Sequence, residues 1–136
     1  APVSFCIKFI QIYINTNLFE FILGSLHLLN SYLRINTKIT KSSTLNIDHT
    51  LKSRDKVITI CKNLNADTYI NAIGGQELYD INDFKNKNIN LKFIKSPPLN
   101  YKQFNNEFIP NLSIIDVLMF NSKDDIKNML NQFQLI

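Results

Sequence analysis

The chain has 136 residues, enough for one domain around one core. Its 45% hydrophobic and 19% charged residues are ordinary for a globular protein and argue against a disordered one. The net charge of +4 comes from scattered Lys and Arg without basic–aromatic interleaving, so nucleic-acid binding is not expected. A solvated mixed-charge surface and a phosphorylated small ligand fit that charge equally well.

The first stretch, "APVSFCIKFIQIYI", is apolar but carries Lys8 and Gln11 and is too short to cross a bilayer. It lacks the basic start and small-residue cleavage pattern of a signal peptide. No membrane span is expected, and a cytoplasmic location follows. The chain begins at Ala1 rather than Met, which fits either Met removal or a fragment. Cys6 and Cys61 are the only cysteines, with no CxxC and no paired Cys/His spacing, so neither a metal site nor a cofactor is expected.

Asn17 and Glu20 have capping-box spacing, and Leu18, Phe19, Ile22, Leu26, Leu29 and Leu33 recur at helical intervals, predicting a helix over 17–33. Ile35, Thr37, Ile39 and Thr40 suit a short strand that ends in Ser42-Ser43-Thr44. After a connecting loop at 45–51 a second helix is expected over 52–64. Val57, Ile60, Cys61 and Leu64 face inward, and Asn65 is a left-handed stop. "DTYINAI" reads as a strand, "GGQELYDINDFKNKN" as wholly or partly helical, and "INLKFIK" as a third strand with Ile89, Leu91 and Phe93 on one face. Pro97-Pro98 and Pro110 bracket an irregular loop. Asn111 is the expected cap of "LSIIDVLMF". Ser122 and Asp125 cap the final helix, with Ile126, Met129, Leu130 and Phe133 inward.

Strands separated by helices argue for parallel pairing. The expected fold is a small three-layer α/β domain over residues 1–136. It has a mostly parallel sheet and flanking helices, and reads as the later part of a larger Rossmann-like domain. Missing strands would leave an unpaired edge and an apolar helix face, from which self-association is expected.

In open parallel sheets ligands bind at the carboxyl ends of the strands, where loops beginning at Ser42, Gly74 and Ser96 would meet. Gly74-Gly75 ends a strand and precedes a helix start. Its bare amides suit a phosphate or carboxylate, but a tight turn needing positive φ explains the pair equally well. Glu77 caps the next turn or faces a ligand; Tyr79 packs or stacks on a ring; Tyr69 and Asn71 are polar strand neighbours. Asp48, His49, Lys52, Arg54 and Asp55 crowd a helix start, where they hold a phosphate, move a proton, or form surface ion pairs. Asp116 interrupts an apolar run and needs exposure or partners. It reads as a loop anchor with Ser113 nearby, or as a catalytic carboxylate. There is no G-x-S-x-G or HExxH, which disfavours a serine hydrolase or a metalloenzyme.

Several elements in order, "KSRDKVITICKNLNAD", "TYINAIGGQELYD", "NLKFIK", "YKQF" and "LSIIDVLMFNS", resemble the C-terminal portion of the WbqC-like family, from about Asn17 onward. Gly-Gly-x-Glu-Leu-Tyr and Leu-Ser-Ile-Ile-Asp-Val-Leu-Met-Phe-Asn are the most specific of them. Residues 1–16 show no such likeness, and Ser53 and Asn88 stand where the family pattern leads one to expect glycine. The resemblance implies a role in bacterial O-antigen or other surface-polysaccharide synthesis. The expected activity is transfer of an acyl or aminoacyl group, such as glycine, to a sugar or nucleotide sugar. The implied partners are a phosphorylated or nucleotide-linked sugar and an activated acyl donor. Glu77, His49 and Asp116 become the catalytic candidates. Gly74, Gly75, Tyr79, Asn71, Lys52 and Arg54 become the ligand-binding ones. The alternative is a non-catalytic nucleotide-sugar binding module or a truncated, inactive fragment.

Overall fold

A computed structural model describes residues 17–104 and 107–136. Over these the chain is a small α/β protein with several helices and an open, mixed sheet of three strands. It divides into two compact units, one containing residues up to Lys38 and Pro98–Gln132, the other Ile39–Pro97 and Phe133–Ile136. Among the described residues no helix is long and apolar enough to cross a membrane.

In the first unit, helix α1 (Leu18–Leu33) starts where expected. Extended Asn17 takes the Glu20 N–H on its side-chain oxygen at 2.9 Å. The helix ends by turning left-handed at Arg34 (φ 57°), whose N–H bonds Ser31 O while the Ile35 N–H bonds Asn30 O at 2.8 Å. Those paired bonds are a Schellman closure, normally built on glycine. Leu33 enters a core with Val117, Leu118 and Ile126. The apolar stripe of α1 is wider than the face it buries, since Leu18, Phe19, Ile22 and Leu26 are all exposed.

Helix α4 (Ile114–Phe120) is capped by Ser113, whose hydroxyl accepts from the Ile115 N–H, and not by Asn111. Asn111 instead carries φ 59° and turns the chain into the cap. The box expected at Ser122 and Asp125 is present, with both reciprocal bonds opening α5 (Lys123–Leu130). Ile126 is buried and Met129 packs on the core, whereas Leu130 and Phe133, expected inward, are exposed. The helix ends before Phe133 can join its inner face.

The strand expected at 35–40 does not form. Alternation alone does not make a strand without a partner, and this segment passes from the first unit to the second at Lys38, with Ile35 packed on the first core. Only a short 3-10 turn, Ser42–Thr44, follows. Helix α2 (Ser53–Asn63) begins without a side-chain cap and buries Ile58 and Cys61, with Val57 packed alongside. Leu64 is exposed, so the inner face is centred one residue beyond Val57. Asn65 (φ 52°) is the left-handed stop that was expected, and Ala66 closes the turn on Cys61 O.

Strand β1 (Thr68–Ala72) runs into a 3-10 segment, Ile73–Leu78, then α3 (Ile81–Lys85) and β2 (Asn90–Lys95). β1 and β2 pair in parallel, Tyr69 against Leu91 and Asn71 against Phe93. The sheet is nonetheless mixed rather than mostly parallel. Its third member is β3 (Gln134–Leu135), which pairs antiparallel to β2, and Ile136 exchanges both backbone bonds with Phe93. Ile89, Leu91 and Phe93 point inward as their alternation predicts and pack with Phe84, Ile58 and Cys61. Asn90 and Lys92, of opposite parity, are exposed. Within this unit the described helices therefore cover one sheet face, not two.

Candidate functional site

The second unit carries an open groove of about 490 Å³ between two walls. One wall is the first turn of α2, with Lys52, Ser53, Arg54 and Asp55. The other runs from the end of the 3-10 segment into α3, with Glu77, Leu78, Tyr79, Asp80 and Asp83. Four of the expected ligand or catalytic residues, Lys52, Arg54, Glu77 and Tyr79, meet here.

Local chemistry places both walls. Lys52 is extended and its side chain makes no capping bond, so the first amides of α2 donate no hydrogen bond to the cap side chain at the positive end of the helix dipole. The next residue, Ser53, is held at φ 46°, a conformation that suits glycine. Across the groove, Asp80 caps α3 by accepting from the Asn82 N–H at 2.8 Å. Asp83 lies one turn on and meets Arg54. The guanidinium donates to Asp83 Oδ2 at 2.6 Å and to Asp55 Oδ1 at 3.1 Å. Those two carboxylates, Asp83 first, hold Arg54 even more firmly protonated than usual.

Tyr79 closes the inner end. Its ring stands edge-on to Tyr69 and Phe84, with centroids 5.9 and 5.6 Å away, while Tyr69 and Phe84 stack at 5.6 Å. Burial above all, then the neighbouring Tyr79 hydroxyl, pushes the Tyr69 phenol up to about 12, so it stays protonated at neutral pH. Burial likewise raises the Cys61 thiol, which behaves as a small core residue.

Gly74, Gly75 and Asn71 do not line the groove. Neither glycine has positive φ, which removes the tight-turn explanation. A Cβ on Gly74 would meet nothing within 4 Å, but one on Gly75 would run into the Asn71 side chain, whose Cγ lies 3.2 Å from it. Asn71 in turn accepts from the Ala72 N–H at 2.9 Å. The glycine makes room for the amide that steadies the strand exit.

His49 also lies outside the groove lining, exposed in the loop before α2. Its Nε2 sits 3.0 Å from Leu45 O; a carbonyl only accepts, so that nitrogen carries the proton. The adjacent Asp48 is held below the usual carboxylate range by the Thr50 hydroxyl and N–H.

Asp116 belongs to the first unit. Its Oδ2 accepts from the Tyr101 hydroxyl at 2.6 Å and from Gln103 Nε2 at 2.8 Å. Gln103 also pairs with both backbone groups of Ile109. Asp116 anchors the loop through side chains rather than through backbone amides, and Ser113 is spent on capping. Burial and this bond raise the Tyr101 phenol.

Asp80 and Asp83 were not singled out in the sequence. Their three-residue spacing at a helix start was the signal that could have found them, though nothing local says that they face α2. A second, apolar groove in the first unit is lined by Phe21, Ser25 and Ile114 among others and has no ionisable group. Among the described residues no cluster of His, Cys, Asp and Glu is placed to hold a metal ion.

The model of the WbqC-like protein family matches residues 4–128. The match thus reaches upstream of Asn17, into the stretch where no likeness was expected, and covers most of the chain. No curated protein and no solved structure matches.

Proposed function

The chain belongs to the WbqC-like protein family, and from that premise we propose that its groove takes a phosphorylated or nucleotide-linked sugar as acceptor for an acyl or aminoacyl group. The observation that carries this reading is the unlike chemistry of the two walls. Lys52 and the uncapped amides of α2 suit phosphate oxygens. Glu77 and Asp80 offer carboxylate oxygens to sugar hydroxyls, and Leu78 and Tyr79 an apolar surface beside them. Glu77 is exposed in the groove, whereas His49 and Asp116 are engaged elsewhere, which makes Glu77 the preferred base.

The reaction would begin with attack of a sugar amine or hydroxyl on the carbonyl carbon of an activated acyl donor. The attacking group's proton passes to the Glu77 carboxylate, and the bond to the donor's leaving group breaks, with the electron pair departing on that group. The family suggests glycine or a similar residue as the acyl group and a bacterial surface polysaccharide such as O-antigen as the destination. A cytoplasmic setting would suit a nucleotide-sugar acceptor. The parallel β1–β2 pair joined through α3 supports a Rossmann-like arrangement for this part of the chain.

A binding role without turnover is the second reading, favoured because one candidate base, not three, lies in the groove. Calorimetric titration with a uridine diphosphate sugar, together with transfer of a labelled acyl group from a thioester donor, separates the two. Binding with turnover that Glu77→Ala abolishes supports the transferase. Binding without turnover supports the module, and no binding at all overturns the site.

A further inference from the structure

The groove's strongest cation is already occupied. Arg54 Nη1 reaches across from α2 to Asp83 on α3, 29 positions along the chain, and its Nε donates to Asp55. Among the described residues Lys52, on the same wall, makes no such ion pair. We propose that Asp83 is a built-in competitor, an internal anion that occupies the Arg54 guanidinium until an anionic group of the ligand displaces it. This rests on the reading of the groove as a site for a phosphorylated ligand.

The geometry gives the competition its form. A guanidinium presents a planar fork matched to two oxygens of a carboxylate or a phosphate. Asp83 Oδ2 at 2.6 Å takes the fork's outer end, the one directed across the groove, and Asp55 takes Nε. An arriving phosphate oxygen that takes the Nη1 end of the fork does so by exchanging with Asp83, and in doing so breaks the tie between α2 and α3. Ligand entry at that end and release of the tie are one event, which sets Asp83 and the ligand in competition for Nη1. The Arg54 and Asp83 side chains are 46% and 35% exposed, so water screens the pair. Its competitive effect is accordingly modest, on the order of threefold in affinity.

The test uses inorganic pyrophosphate as the probe, titrated into the full chain and followed through the backbone amide resonances of residues 52–55. The same spectra report whether each variant remains folded. Asp83→Asn is expected to bind about threefold more tightly than the parent. Asp80→Asn is the control: it removes an equal charge from the same wall, keeps a good helix cap, and does not touch Arg54. Its gain should be smaller. Arg54→Gln should weaken binding, and in that background Asp83→Asn should gain no more than Asp80→Asn does. A gain for Asp83→Asn equal to that of Asp80→Asn, with the parent binding normally, overturns the competitor and leaves the groove's anion-binding role intact. Absence of any pyrophosphate response in parent and variants overturns both.

Discussion

At Gly75 the demand for glycine is steric and not torsional. The backbone there has ordinary negative φ, and what excludes a side chain is the Asn71 amide lying over the α-carbon. Gly74, one residue earlier, faces open space. Gly74→Ala should raise stability slightly, by about 0.4–1 kcal/mol, because a Cβ there meets nothing and restricts the unfolded chain. Gly75→Ala should be less stable than Gly74→Ala by on the order of 1 kcal/mol, because the Asn71 amide must turn aside and give up its bond to the Ala72 N–H. Equal effects of the two substitutions in chemical denaturation would contradict this account. The torsional demand sits elsewhere, on Arg34, Ser53, Asn65, Asn88 and Asn111, while no glycine has positive φ. Two of these, Ser53 and Asn88, are the positions where the family resemblance led one to expect glycine. The left-handed turns are kept even where the favoured residue is absent. Asn65 was legible because asparagine tolerates this conformation and stood just past a helical pattern; Ser53 was marked only by the glycine that the resemblance led one to expect there, and Arg34 gave no cue.

At the scale of elements, the described part of the loop between Pro98 and Asn111 is tied down by side chains. Gln103 matches both backbone groups of Ile109 and donates to Asp116, which also receives Tyr101. Gln103→Ala is expected to destabilise the first unit by roughly 1 kcal/mol, chiefly through the part-buried bond to Asp116, since water can replace the exposed bonds to Ile109. Hydrogen exchange gives a local readout: the Ile109 amide should lose its protection while the Leu118 amide in α4 keeps it. The sequence marked Asp116 as out of place in an apolar run, but not its partners, which lie 13 and 15 positions away. Strands behaved the same way. Residues 35–40 alternate and form none; Gln134 and Leu135, for which the sequence carried no reading, form one because β2 has a free edge for them.

At the scale of the whole molecule, the described residues form two cores, one around Leu118 and Ile126, the other around Phe84 and Phe93. The second includes Tyr69 with its phenol raised to about 12, which gives a pH dependence of definite sign. Unfolded tyrosine loses its proton near pH 10, and the folded form keeps it for longer. Between those values the unfolded state binds fewer protons, so stability is fully present below about pH 10 and declines as pH rises toward 12. Tyr69→Phe should flatten this alkaline limb. The measurement is the denaturant midpoint at several pH values for both proteins, and an identical slope would remove Tyr69 as its source.

What the sequence determined by itself is the set of features that local chemistry dictates. The bonds at Asn17 and in the Ser122–Asp125 box, the left-handed stop at Asn65 and the alternation of Ile89, Leu91 and Phe93 each involve residues a few positions apart. So does the family likeness, which is a matter of residue order. Tertiary structure decided the rest. The mixed sheet depends on β3 reaching β2, and the groove depends on α2 meeting residues 77–83, tied by one ion pair across 29 positions. Such meetings arise from how cores pack, since burying Phe84 and Ile58 together sets which polar side chains face each other above them, and no short-range pattern encodes that.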